Sequence, residues 1–142
     1  MSHLRLAYGK LSPEAYNGLI QTSMALSKSS LGHLVELVYL RISQINGCAF
    51  CLDMHSTALR KAGYSQHKMD ILSGWRMAEA FDARERAALD WAEAVTHISY
   101  CGTSDELFET LKEHFNDTEI ADLTFAISLM NAFNRMAISM RQ

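Results

Sequence analysis

"QINGCAFCLDMHSTALRKAG", residues 44–63, sets Cys48 and Cys51 three positions apart and His55 four further on. Gly47 closes the apolar stretch before them, and a new helix begins at the thiols. Residues three and four apart are neighbours on a helix. Cys48, Cys51 and His55 therefore share one stripe, with Cys51 in the middle. Such a stripe can be a redox couple, part of a metal site, or two small core residues beside a histidine.

Working outward, apolar residues recur at helical spacing on both sides. Leu31, Leu34, Val35, Val38, Ile42 and Ile45 follow an i, i+3, i+4, i+7 pattern, and so do Ala88, Trp91, Ala92, Val95 and Ile98. The boundaries read as helix caps. Ser12-Pro13 is a cap followed by proline at the first helical position; Ser30 precedes the run that Gly47 ends. Gly63 ends the cysteine helix, and Ser65 can cap a short helix through Leu72. Asp82–Glu85, Thr103–Glu106 and Asn116–Glu119 each resemble a capping box. The closing stretch "EIADLTFAISLMNAFNRMAISM" is apolar around most of its circumference, so it either runs through the middle of the fold or also meets another subunit. The expectation is an all-α fold of about seven helices, with the CxxC at the N-terminus of a central helix.

Composition narrows the function. The 142 residues are expected to form one domain, 1–142, with 49% hydrophobic and 20% charged residues. A net charge of −3 offers no basic field for nucleic acid or an anionic membrane. No signal-peptide core and no run of transmembrane length is present, which points to the cytoplasm. Three cysteines in that compartment do not make a disulfide scaffold, so a disulfide here would be transient and chemical.

Each reading of the stripe has its own requirement. A thiol in the first turn of a helix meets unpaired N–H groups that favour thiolate, and a second thiol one turn away can resolve a sulfenic acid. His55 can shuttle the proton. Structural zinc needs four ligands, so Cys101 or His97 would have to come from a distant segment. In the third reading the cysteines simply fill the core. The CxxCxxxH pattern at a helix start favours redox chemistry. Glu36 adds to it, lying eleven residues before Gly47 while His55 lies eight after. In an antiparallel hairpin rising ~1.5 Å per residue, the two reach comparable heights. Glu36 then serves as base or relay to His55, or pairs structurally with Arg41 or another cation. His97, Cys101 and His114 have no partner spacing, while Asn131 and Arg135, at i, i+4, read as a buried polar or subunit contact.

The run "ELVYLRISQINGCAFCLDMH" resembles the signature of the AhpD-like alkylhydroperoxidases of the carboxymuconolactone decarboxylase superfamily, and the likeness extends through "FDARERAALDWAEAVT" to "NAFNRMAISMR". The resemblance implies an all-helical fold assembled as a homo-oligomer, a trimer or hexamer. It implies Cys51 as the peroxidatic thiol, Cys48 as the more exposed resolving thiol, and His55 and Glu36 as the proton relay. The expected function is a thiol-dependent peroxidase acting on hydroperoxides and recharged by a dithiol or lipoylated protein, with no cofactor and no metal. The alternative is a disulfide oxidoreductase or redox sensor of the same fold. Phe50 stands where the best-studied members carry a second histidine. The CxxC pair argues against lactone decarboxylation.

Overall fold

Why the chain turns back on itself at the cysteines is visible at Gly47. Its φ of 73° lies in the left-handed region, and the Gly47 and Cys48 amides both donate to the Ser43 carbonyl. A side chain at this φ would cost roughly 1–2 kcal/mol, so glycine stops one helix and lets the next start one residue later. The computed structural model describes residues 3–142. Its regular elements are helical: α1 (Tyr8–Leu11), α2 (Pro13–Leu26), α3 (Leu34–Asn46), α4 (Ala49–Lys61) and α5 (Gln66–Asp70), then a 3-10 segment (Leu72–Met77). The rest are α6 (Ala83–Thr96), α7 (Ile98–Cys101), α8 (Asp105–Lys112) and α9 (Asp117–Met140). Seven α-helices have five residues or more, as the periodicity predicts; α1 and α7 are single turns.

Helix α3 is the axis, packed against α4, α6 and α9. Its Leu37, Val38 and Ile42 are wholly buried. One side of α3 faces Ala88, Trp91, Leu123 and Ile127 of α6 and α9; the other meets Leu59, Leu72 and Trp75. Truncating one such residue to alanine would cost about 2–5 kcal/mol. Helix α9 buries Leu123, Ile127, Met130 and Asn134 on one side, whereas Phe125 and Ile138 on the other face solvent. The all-round apolar pattern thus divides into a core face and an exposed face where Phe125 and Ile138 stand among Ser128, Arg135 and Ser139.

The capping expectations hold at Asp82 and Asn116, where both halves of each capping box form. Two others shift. Ser104, not Thr103, caps α8, and Ser30 caps nothing, because its hydroxyl donates to Glu119 at 3.1 Å and α3 begins only at Leu34. The short helix capped by Ser65 ends at Asp70, before the 3-10 segment.

A polar clasp fastens α3 to α6. Arg41 Nε and Trp75 Nε1 both donate to Glu93 Oε1, at 2.9 and 2.8 Å, and Arg76 reaches Glu93 Oε2 at 3.0 Å. Burial alone would raise the Glu93 carboxyl, but these three donors outweigh it and hold the group below its ordinary 4.5. A carboxylate depressed in the folded state stabilises the fold above its unfolded pKa, and that stability is lost as pH falls through the folded value. Thermal melts from pH 7 down through the range below 4.5 should therefore show a shallower acid decline for Glu93→Gln than for wild type, from a lower melting temperature at pH 7. Parallel curves would mean the clasp contributes no linked stability.

Candidate active site

The turn at Gly47 lays α4 antiparallel beside α3 and brings Glu36 to His55. His55 Nδ1 lies 2.7 Å from Glu36 Oε2. An ionised carboxylate only accepts hydrogen bonds, so Nδ1 carries a proton, and in the neutral ring Nε2 presents a lone pair. That Nε2 is buried and has no partner among the described residues. Arg41 pairs with Glu93 and not with Glu36. The Glu36 side chain is 33% exposed against 6% for His55, and solvent screening at that exposure makes the contact one of orientation more than of binding energy.

Cys48 is the N-cap of α4, and its Sγ accepts from the Cys51 amide at 3.3 Å. The two cysteines form a disulfide and pack against Ala137 of α9. A sulfur at this cap sits on the unpaired N–H groups of the first turn, which favour its anionic form once reduced. The expectation that Cys48 is the more exposed thiol is not met. Cys48 is 1% and Cys51 2% exposed, because Gly47 tucks the capping residue beneath the turn, where α9 covers it.

What separates the thiols is a cavity of about 300 Å³ that Cys51 lines and Cys48 does not. Its walls come from α2, α3, α4 and α9, with Phe50, Met54, Phe133 and Ala137 supplying apolar surface. Glu36, His55 and Tyr39 also line it. Tyr39 was not legible as a site residue, yet its hydroxyl is buried without a partner and its ring lies 5.1 Å from that of His55. The usable signal was spacing, since Tyr39 follows Glu36 by three and so shares its face of α3. Tyr8 of α1 and Gln142, just after α9, are hydrogen-bonded to each other and line the same cavity.

His97 and the exposed free Cys101 line a different cavity, apart from Cys51 and His55. Asn131 is half-buried, accepting from Asn46 and donating to Thr96, while its hydrogen bond from Arg135 is exposed, not the buried contact expected of the pair.

Residues 13–94, which contain the whole Glu36–Cys48–Cys51–His55 set, match the carboxymuconolactone decarboxylase family. The chain belongs to that family. Within it the likeness is to AhpD. Over 34 residues, 24% of this chain and 19% of the relative, it is 50% identical to the alkyl hydroperoxide reductase AhpD of Coxiella burnetii. The uncharacterised protein YdfG of Bacillus subtilis is 33% identical over 96% of this chain and 93% of its own length. A crystal structure from Agrobacterium tumefaciens, of a protein of unknown function provisionally named as an antioxidant defence protein AhpD, superposes with a TM-score of 0.94 at 41% identity, covering 99% of this chain and 97% of that one. This AhpD-like member of the carboxymuconolactone decarboxylase family thus carries the CxxC pair and the carboxylate–histidine contact in one site.

Because Cys101 lies apart from the pair, mild peroxide treatment of the reduced protein followed by peptide mapping should recover a Cys48–Cys51 link and unmodified Cys101. Sulfonic acid at Cys51 beside a free Cys48 thiol would contradict a resolving role for Cys48.

Proposed function

We propose that this protein is a thiol-dependent peroxidase that reduces hydroperoxides through the Cys48–Cys51 couple. The observation that carries the reading is the placement of Cys51 on an apolar cavity beside a histidine that Glu36 orients. In the reduced protein His55 Nε2 takes the Cys51 proton. The thiolate electron pair attacks the terminal oxygen of R–O–OH, a sulfur–oxygen bond forms, and the O–O bond breaks. Sulfur is oxidised by two electrons and the peroxide is reduced to an alkoxide, which takes its proton from His55. Cys48 thiolate, favoured at the helix cap, then attacks the sulfenic sulfur. The sulfur–oxygen bond breaks, a disulfide forms, and the hydroxide that leaves becomes water with the proton Cys48 gave up on ionising.

For recharging by a dithiol or lipoylated protein, the same asymmetry supports attack at Cys51. Cys51 is the sulfur on the cavity, so the incoming thiolate attacks Cys51 and expels Cys48, the sulfur whose anion the α4 N-terminus favours. This reverses the route in which Cys48 meets the reductant. Leu4, Leu6, Leu11, Met24, Phe125 and Ile138 are exposed apolar side chains, and they support a homo-oligomer, trimer or hexamer. Sedimentation at micromolar concentration should find one; a well-folded monomer would contradict it.

The test is hydroperoxide consumption with several dithiol donors. Activity in wild type should fall by about 10²-fold in His55→Ala, the low end for losing an acid–base group. Glu36→Gln keeps the shape and removes the charge. Since Glu36 acts through His55, the double variant should be little worse than the worse single one. Losses that multiply would assign the two residues separate roles. Thiol–disulfide exchange without peroxide consumption would favour the oxidoreductase reading.

A further inference from the structure

Two buried polar atoms on the walls of the Cys51 cavity have no partner: His55 Nε2 and the Tyr39 hydroxyl. A buried hydroxyl left unpaired costs stability, and phenylalanine would fill the same space without that cost. The two orphans also serve one end: once Nε2 has taken the Cys51 proton, it and the phenol are both donors on the cavity wall, and the oxygen a hydroperoxide leaves behind is an acceptor.

We propose that Tyr39 is a catalytic residue whose hydroxyl donates a hydrogen bond to the inner, leaving oxygen of the hydroperoxide. The inference rests on the peroxidase reading and adds to it the group that receives the developing charge. As Cys51 sulfur takes the terminal oxygen, negative charge builds on the R–O oxygen. Tyr39 stabilises that charge while His55 supplies the proton that completes the alcohol. Burial, and secondarily the Glu36 carboxylate, push the Tyr39 phenol above its usual range, so it stays protonated and acts as a donor. Its ring against His55 fixes both groups on one side of the cavity. Phe50 lines the same cavity and offers only apolar surface.

Tyr39→Phe removes the hydroxyl and keeps the ring. With pre-reduced protein and cumene hydroperoxide, the rate of Cys51 oxidation should fall by about 10²-fold, the low end for losing one preorganised donor to a developing oxyanion. Alkylation of Cys51 by iodoacetamide, which needs the thiolate but no leaving oxygen at this site, should stay within about two-fold of wild type. The melting temperature should rise by about 2–4 °C as the unpaired hydroxyl is lost. Unchanged peroxide reactivity in Tyr39→Phe overturns the inference and leaves the peroxidase reading standing. An equal fall in both rates, or a lower melting temperature, also overturns it, since the hydroxyl would then serve the thiol or the packing. Wild type inert to peroxide but competent in dithiol exchange overturns the reading itself, and the inference with it.

Discussion

The contact between His55 Nδ1 and Glu36 Oε2, 2.7 Å long, gives the fold its chemical direction. It fixes which imidazole nitrogen keeps a proton, and in the proposed chemistry the other serves Cys51. The contact exists because Gly47 reverses the chain in two residues, so that α3 and α4 run antiparallel with the two side chains level. Helix α3 can hold that register because it is buried on both sides, against α6 and α9 on one and the Leu72–Met77 segment on the other. The Glu93 clasp and the Asn46–Asn131–Asn134 hydrogen bonds lock the same helix at two heights. The core therefore serves the site by keeping α3 still.

The two thiols differ by position alone. Cys48 caps a helix, under α9; Cys51, one turn on, lines the cavity. Equal burial with unequal access separates their roles more sharply than exposure would. In the proposed chemistry one sulfur meets what enters the cavity and the other is the better leaving group. The apolar walls, with polar groups confined to Glu36, Tyr39, His55 and a few rim residues, suit a small molecule with one reactive polar end.

Much of this was legible in the sequence. Helical periodicity predicted α3, α6 and α9, and the Glu36-to-Gly47-to-His55 spacing predicted a carboxylate level with the histidine, because both follow from fixed rise and fixed turn. Ser30 and Thr103 misled because several hydroxyls near a helix start compete, and tertiary partners such as Glu119 choose between them. The relative exposure of Cys48 and Cys51 depends on where α9 lies, which no local pattern carries. Tyr39 escaped because a tyrosine among Val38 and Leu40 reads as core until its hydroxyl is found without a partner.

The central claim is that Glu36, acting through His55, makes Cys51 a reactive thiolate. The most direct test is the pH dependence of Cys51 alkylation in the fully reduced protein, compared with Glu36→Gln. In wild type the midpoint should lie below the ~8.5 of an ordinary thiol, and removing the carboxylate charge should move it upward. Identical midpoints in the two proteins, with both folded, would show that the Glu36–His55 contact does not act on Cys51 and would contradict the account.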